Sequence, residues 1–498
     1  MFLTKQNYKF KFAEQGFAFV FHINNSMTAS SNLEVCYIAS SIVTSIIING
    51  LLFPFLAPVR YINSAYSSRF LCQAFFEFLI IVIPFIFLVM NAGGFFSLFI
   101  VVAAQSYLAL YYYSSTRGHN QSIYSKLDQQ YIHGRETVLT NYRGAVILCT
   151  SICILAVDFQ GFPSWFAKTE DKVYSLMDTG VGCFVFMSGI SGSKIRNGAI
   201  SISETTKKSL KNSWILLVFG FLRLTFILLM GYPYDVKEYG THWNFFLTLG
   251  CVKILGPITS RVVSFAPPFV KAVFISCIYE VILQNGLRNR LLSDNDRSTF
   301  IWANREGIFS ICGFLAIYWT AVEIGRYLNE ERRTIRQWTD VLIALIFCKI
   351  VLDFVLEYVE SVCGSPSRRL ADLGYILWMV SFNIFLIILC FFADLFLVLI
   401  DKNETILDQN EPLTNFHQGF RSDFSLPLIR KPYLLKSINY NGFATFLFSN
   451  ILTGLVNMTF NTKEATVFKT CFILFGYAAL TCLFPLTFYF WRLKLKFW

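Results

Sequence analysis

The sequence contains few charged residues for its length. Asp, Glu, Lys and Arg make up 15% of its 498 residues, whereas hydrophobic residues make up 55% and aromatic residues 17%. Soluble globular chains carry about 25% charged residues, so this composition excludes an ordinary soluble protein. The apolar residues form blocks long enough to cross a bilayer as helices, and none alternates in polarity as a barrel strand does. The sequence therefore predicts an all-α polytopic integral membrane protein.

Common catalytic motifs are also absent. The chain has no phosphate-binding P-loop and no HExxH zinc motif, and no CxxC pair occurs among its thirteen Cys residues. Twelve of these Cys lie within or at the ends of apolar segments, as buried free thiols do. We therefore expect these thiols to form neither a metal site nor a disulfide framework. The five His residues lie in loops or at a span edge, which argues against an O-acyltransferase with a catalytic His in its helical core.

The hydrophobic blocks predict about 13 transmembrane helices, and no internal repeat relates them. The predicted spans are 36–57, 70–90, 94–113, 144–161, 173–190, 212–230, 241–257, 262–285, 306–326, 338–360, 371–400, 440–460 and 466–491. Residues 1–34 lack the apolar core of a signal peptide and predict a mobile N-terminal tail, whose first 26 residues precede a second Met. Residues 35–498 predict a single transmembrane domain with a long polar loop at 401–439.

The distribution of basic residues predicts the orientation of the chain. The net charge of +11 is spread over many short loops and forms no single stripe, so we expect no nucleic-acid partner. Most Lys and Arg residues of the loops lie on the same side of the membrane as the C-terminus. The positive-inside rule places this side, which includes the 401–439 loop, in the cytosol. The N-terminus is then lumenal. Lys494 and Lys496 resemble a dilysine signal, which is read in the cytosol and returns proteins to the endoplasmic reticulum membrane.

Charged residues inside predicted spans are costly and are therefore site candidates. Lys349, Asp353 and Glu357 lie at i, i+4 and i+8 of one span and therefore share one helix face, where Lys349 and Asp353 can neutralise each other. We expect these three residues to have a structural role. One loop departs from the bias of basic residues toward the cytosolic side: the arginine-rich loop 286–305 lies on the predicted lumenal side. This loop is either solvated or forms a phosphate-binding rim.

The densest polar cluster joins the fourth and fifth predicted spans. Asp158 ends the fourth span, Lys168 follows in an aromatic loop with Pro163, and Asp178 lies in the fifth span. Partial burial would raise the pKa of Asp158, and a nearby ammonium would oppose that change. Such a carboxylate can act as a general base, and such a lysine can stabilise an oxyanion. A salt bridge that closes the loop would give the same spacing.

The predicted topology places further polar motifs on the same lumenal face. Asn304, Arg305 and Glu306 begin the ninth span, and Asn457 lies near the end of the twelfth. Because these motifs come from separate parts of the chain, a common site is the simplest interpretation. We expect the charged groups of Asp158 and Lys168 to lie near one another, at the lumenal mouth of a cavity lined by spans four, five, nine and twelve.

Three groups of residues carry a resemblance to a known family. The first group is Ala156-Val157-Asp158-Phe159, Phe162-Pro163, Ala167-Lys168-Thr169-Glu170 and Ser175-Leu176-Met177-Asp178-Thr179-Gly180-Val181-Gly182. The others are Asn304-Arg305-Glu306-Gly307-Ile308-Phe309-Ser310 with Gly313 and Tyr318, and Asn450-Ile451-Leu452-Thr453-Gly454-Leu455-Val456-Asn457. In these segments, and over about 36–491, the chain resembles the glucosaminyl-phosphatidylinositol inositol acyltransferases of glycosylphosphatidylinositol (GPI) anchor biosynthesis. Ser164 departs from the family pattern, which has a basic residue at that position.

The resemblance implies an acyltransferase domain at 35–498 in the endoplasmic reticulum membrane. It implies transfer of a fatty acyl chain, typically palmitoyl, from acyl-CoA as co-substrate to the inositol 2-hydroxyl of glucosaminyl-phosphatidylinositol, a glycolipid held in membrane lipid. Asp158 would be the catalytic base and Lys168 the oxyanion stabiliser, with no metal and no bound cofactor. The substrate-binding residues would be Asp178, Asn304, Arg305, Glu306 and Asn457.

A polytopic lipid or solute transporter or flippase is the alternative function, because it would use the same intramembrane charges as a substrate pathway. Transporters often contain internal repeats and helices broken near the midplane, and neither feature is clear in this sequence. A scaffold without catalytic activity is a third possibility.

Overall fold

The computed structural model describes residues 32–56, 66–90, 127–128, 131, 134–168, 174–193, 201–230, 236–293, 297–400 and 432–495. Most of this part of the chain is helical, and it contains no β-strand. The observed architecture confirms the predicted all-α fold. The predicted span 94–113 and most of the segments 1–34 and 401–439 lie outside the described residues.

The structure describes eighteen α-helices in these parts of the chain. The first are α1 (Asn32–Leu56), α2 (Tyr66–Glu77), α3 (Ile83–Met90), α4 (Gly134–Ala156), α5 (Thr179–Gly192), α6 (Ile202–Met230), α7 (Val236–Tyr239), α8 (Phe245–Val262) and α9 (Pro268–Ile282). The others are α10 (Arg288–Leu292), α11 (Phe300–Ala303), α12 (Arg305–Phe309), α13 (Ile311–Asn329), α14 (Ile335–Cys363), α15 (Leu373–Ile400), α16 (Tyr433–Tyr440), α17 (Gly442–Thr459) and α18 (Val467–Phe490). A π-helical turn, Phe78–Val82, joins α2 to α3.

Eight helical segments of the described chain are long and apolar enough to cross a membrane. They are Asn32–Leu51, Phe70–Met90, Gly134–Ala156, Phe245–Val262, Pro268–Leu292, Arg305–Asn329, Leu373–Leu399 and Val467–Phe490. This finding shows a multi-pass membrane protein. Four further predicted spans coincide with α5, α6, α14 and α17, of which α5 is a short apolar helix. The count of about 13 transmembrane helices stays a prediction.

Local sequence explains where several helices begin. The side chain of Asn244 accepts hydrogen bonds from the backbone N–H groups two and three residues on, at 3.1 and 3.2 Å, and so caps α8. Pro268 is the first residue of α9, where a helix needs no N–H donor. Thr334 and Gln337 form a capping box at the start of α14.

Small residues let the central helix α13 pack closely against its neighbours α5, α8 and α9. A Cβ atom on Gly189 of α5 would lie 2.4 Å from the carbonyl oxygen of Tyr318, and one on Gly256 of α8 would lie 2.5 Å from its ring. A Cβ atom on Gly313 would lie 1.9 Å from the carbonyl oxygen of Ala371. Gly313 and Tyr318, which the resemblance singled out, therefore serve helix packing.

Replacing Gly313 with Ala should destabilise the protein. The added methyl group has no room against the Ala371 carbonyl, and overpacking of this kind costs about 1–3 kcal/mol. We expect a lower midpoint of thermal unfolding in detergent and a lower yield of folded protein. Gly476→Ala is the matched control, because a Cβ atom at Gly476 in α18 has nothing within 4 Å. Equal stability of the two variants would contradict the packing argument.

Two charged residues in the middle of α14 pair with each other. Lys349 contacts Asp353 one helical turn away, and the hydroxyl of Ser381 in α15 donates to Oδ1 of Asp353 at 2.5 Å. The Lys349–Asp353 pair therefore ties α14 to α15, which confirms the predicted structural role of these two residues. Glu357 is exposed, and its role in the same group stays a prediction.

Candidate functional site

Asp158 lies in a turn directly after α4. Its backbone N–H donates to the carbonyl of Leu155 at 3.1 Å, and its half-buried carboxylate points toward α17. There Oδ2 of Asp158 accepts a hydrogen bond from Nδ2 of Asn457 at 2.8 Å. Two residues 299 positions apart in the sequence are thus brought into direct contact, as the predicted common face required.

The environment of Asp158 favours its basic chemistry. Burial raises the pKa of this carboxyl above its usual value, and the Asn457 hydrogen bond and the ammonium groups of Lys168 and Lys463 partly oppose the shift. Both effects have the sign predicted from sequence. A carboxylate with a raised pKa is a stronger base, and its basic form is lost as the pH falls through that raised pKa.

Lys168 lies at the end of a loop that is fixed to the segment before α5. The loop contains a short 3₁₀ turn, Ser164–Phe166, and the hydroxyl of Ser175 contacts the carbonyls of Phe166 and Ala167 at 2.7 and 2.5 Å. The ammonium of Lys168 donates to Oε2 of Glu238 at 3.0 Å. These contacts set the direction in which the lysine leaves its loop.

Asp158 and Lys168 interact through space without forming an ion pair in the described structure. The positive charge of Lys168 lowers the pKa of Asp158, so the two groups are close enough to interact electrostatically. The direct partners differ, because Asp158 binds Asn457 and Lys168 binds Glu238. The alternative of a direct salt bridge that closes the loop is therefore wrong.

Asp178 is buried and belongs to a chain of ion pairs. Its Oδ1 lies 2.7 Å from Nε of Arg368, and Nη1 of the same arginine lies 3.4 Å from Oε1 of Glu238. Since Glu238 also binds Lys168, the ion-pair chain runs Asp178–Arg368–Glu238–Lys168. Burial by itself would raise the pKa of Glu238, but the charges of Arg368 and Lys168 outweigh burial and hold that pKa below its usual value.

A second group of charges surrounds Glu306 at the start of α12. Nη2 of Arg297 lies 2.7 Å from its carboxylate, and Arg305 and Arg369 each lie at 3.6 Å. Arg305 and Glu306 are each 1% exposed. In the same loop Arg288 binds the carboxylates of Glu280 at 3.2 Å and of Asp372 at 3.0 Å, so Arg288, Arg297 and Arg305 face internal carboxylates. Arg290 is exposed, and both interpretations of this loop stay predictions.

Asn304 is fully buried and binds the connection that follows α7. Its Oδ1 accepts from the backbone N–H of His242 at 2.7 Å, and its Nδ2 donates to the carbonyl of Phe300 at 2.9 Å. The substrate-binding roles of five residues stay predictions: Asp178, Asn304, Arg305, Glu306 and Asn457.

An apolar cavity that is partly open to its surroundings runs beside α4. Helices α1, α4 and α15, the start of α5 and the two residues before Asp178 line this cavity. Its lining residues include Tyr142, Cys149, Cys153, Met177 and Phe382. Predicted spans four and five line this cavity together with spans one and eleven, whereas the described residues of spans nine and twelve do not. Asp158 and Lys168 are not among the lining residues, so their place at the mouth of a cavity stays a prediction.

Comparison with known families matches residues 18–488 to the model described as GWT1. The chain belongs to the GWT1 family. Members of this family are GPI inositol acyltransferases, so the chain is an acyltransferase of GPI-anchor biosynthesis. The resemblance recognised from the sequence is confirmed.

Curated relatives from yeasts are similar over most of the GWT1-family chain. GPI-anchored wall transfer protein 1 of Saccharomyces cerevisiae is 32% identical over 422 residues, which cover 77% of this chain and 80% of the relative. The protein of the same name from Kluyveromyces lactis is 36% identical over 366 residues, with 73% and 74% covered. That from Candida albicans is 31% identical over 429 residues, with 78% and 82% covered.

Sequence reasoning missed two residues of this GWT1-family site, Glu238 and Arg368. Both are central to the ion-pair chain. A signal was available, because the predicted topology places the loops after the sixth and tenth spans on the same face as Asp158. Charged residues of short loops on that face were therefore candidates, although their pairing required the structure.

Proposed function

We propose that the enzyme transfers a fatty acyl chain, typically palmitoyl, from acyl-CoA to the inositol 2-hydroxyl of glucosaminyl-phosphatidylinositol. Asp158 accepts the proton of that hydroxyl, and the freed oxygen attacks the thioester carbonyl carbon. Lys168 stabilises the negative charge that develops on the carbonyl oxygen. The carbon–sulfur bond then breaks, and the departing CoA thiolate takes up the proton held by Asp158.

The observation that carries this proposal is the arrangement of Asp158 and Lys168. A half-buried carboxylate of raised pKa lies within electrostatic range of an ammonium, and neither group neutralises the other directly. Oδ1 of Asn457 is buried beside the carboxylate and has no hydrogen-bond partner in the described structure. It can accept a hydrogen bond from an inositol hydroxyl while Nδ2 of the same side chain orients Asp158.

The apolar cavity supports a lipid-like acyl donor. Its lining on α4 extends from Tyr142 to Cys153, a distance of about 16 Å at the helical rise of 1.5 Å per residue. Cys153 lies little more than one helical turn before Asp158, so an acyl chain in the cavity would bring its thioester toward the carboxylate. Two substrates held in this way react without the entropy cost of a bimolecular encounter.

We also propose that the enzyme works in the endoplasmic reticulum membrane, with the N-terminus lumenal and the C-terminus cytosolic. Membership of a family of GPI-anchor biosynthesis supports this compartment, and the loop charge bias supports this orientation. Glycan attachment at Asn120 or Asn403 would contradict it, because both sequons lie in predicted cytosolic loops.

Purified enzyme should acylate glucosaminyl-phosphatidylinositol when palmitoyl-CoA is supplied, and Cys149→Trp should alter the choice of acyl donor. The indole would occupy part of the cavity, so activity with palmitoyl-CoA should fall at least tenfold more than activity with octanoyl-CoA, about 1.4 kcal/mol of discrimination. Mass spectrometry of the lipid product measures both rates. Cys277→Trp, on an exposed face of α9, is the control. An equal loss of activity with palmitoyl-CoA and with octanoyl-CoA would show that the acyl chain does not bind in the cavity.

A further inference from the structure

The ammonium of Lys168 depends on one partner for its position. A lysine carries its charge on a flexible four-carbon stem, so a loop alone does not fix the ammonium. The side chain of Lys168 is 48% exposed, whereas that of its partner Glu238 is 17% exposed, and the two charged groups are 3.0 Å apart. The better-buried Glu238 therefore decides where the Lys168 charge lies.

Glu238 is itself held on both carboxylate oxygens. Oε2 accepts from Lys168, and Oε1 lies 3.4 Å from Nη1 of Arg368. The side chain of Arg368 is only 6% exposed, is paired with Asp178 at 2.7 Å and lies 5.6 Å from the centre of the Tyr239 ring. A buried, doubly anchored guanidinium is rigid, so Glu238 cannot rotate away from Lys168 without leaving Arg368 short of a partner.

The connection that carries Glu238 is fixed by the segment that begins α12. Gly240 has a φ of +114°, and a Cβ atom there would lie 2.5 Å from Cα of Asn304. The backbone N–H of Thr241 donates to the carbonyl of Ala303 at 3.0 Å, and that of His242 donates to the side chain of Asn304 at 2.7 Å. The position of Glu238 is thus set from two sides.

We propose that Glu238 is a positioning residue of the acyl transfer, which fixes the Lys168 ammonium where the oxyanion develops. Arg368 and Asn304 hold Glu238 in place, and neither needs to contact the substrate. Asn304 thereby acts on the reaction through α7 and the connection that follows it. This inference rests on the proposed function, because it requires Lys168 to stabilise the oxyanion.

The test is a double-mutant cycle on the full-length enzyme with palmitoyl-CoA and glucosaminyl-phosphatidylinositol. Glu238→Gln removes the charge and keeps the shape, and kcat should fall about 10- to 100-fold with both KM values unchanged, since misplacement of a reacting group costs up to about 10². The Lys168→Ala/Glu238→Gln double variant should be no slower than Lys168→Ala alone. Glu330→Gln is the control, because the exposed Glu330 pairs with Arg332 at the same 3.0 Å, far from Lys168 in the sequence.

The outcomes separate the inference from the proposed function. Full kcat in Glu238→Gln, or multiplying losses in the double variant, overturns the positioning role and leaves the Lys168 proposal intact. Full activity of Lys168→Ala overturns the proposed function itself. Should Glu238→Gln yield no folded protein, Glu238→Asp keeps the charge on a shorter stem, and it should show a lower kcat with the same non-additivity toward Lys168→Ala.

Discussion

Replacing Asp158 with Asn should lower the rate of acyl transfer by about 10²- to 10⁴-fold per folded molecule, the usual contribution of a general base. The amide keeps the shape of the carboxylate and its place beside Asn457, but it cannot accept the proton of the inositol hydroxyl. Activity is measured as acylated lipid formed per molecule of monodisperse protein. Asp340→Asn is the control, because Asp340 is an exposed carboxylate of α14.

The pH dependence of the wild-type enzyme gives an independent check on Asp158. Because burial raises the pKa of this carboxyl, the active basic form should disappear at a higher pH than for an ordinary Asp as the solution is acidified. The residual activity of Asp158→Asn should lack this acidic limb. Normal activity per folded molecule in the variant would exclude Asp158 as the base.

Replacing Lys168 with Ala should lower kcat by about 10²- to 10³-fold, as the loss of one oxyanion-stabilising group does. The KM values for both substrates should change little, because the charge meets its target only in the transition state. Lys168→Arg retains the charge and should recover part of the activity. Steady-state rates with palmitoyl-CoA and glucosaminyl-phosphatidylinositol measure the effect, and Lys469→Ala removes an exposed charge at the start of α18 as the control.

Magnitudes distinguish catalysis from a purely structural role of Lys168. The pair with Glu238 has a half-exposed lysine, and such ion pairs contribute roughly 0–1 kcal/mol to stability. Loss of this contribution alone changes little in the yield of folded protein. A Lys168→Ala variant that folds poorly, but whose folded molecules transfer acyl chains at the normal rate, would show that the lysine serves structure alone.

Several parts of the site could be predicted because they depend on local sequence. Asp158 follows directly after an apolar helix, so its partial burial and its raised pKa could be anticipated. The predicted topology also grouped Asp158 with Asn457, which the structure joins by a hydrogen bond. In contrast, the partner of Lys168 could not be predicted, because Glu238 lies 70 residues away, on the short helix α7 between two other predicted spans.

The sequence by itself determined the class of the protein and the positions of most helices. Long apolar runs leave no alternative to membrane-spanning helices, because backbone polar groups in lipid must be satisfied within the segment. Only the tertiary structure decided which charges meet. The lateral packing of helices sets the neighbours of each loop, and this packing depends on close contacts such as Gly313 against Ala371. The pairing of Arg368 with Asp178 and Glu238 therefore follows from the assembled bundle, since the hydrophobic pattern of each helix contains no information about its neighbours.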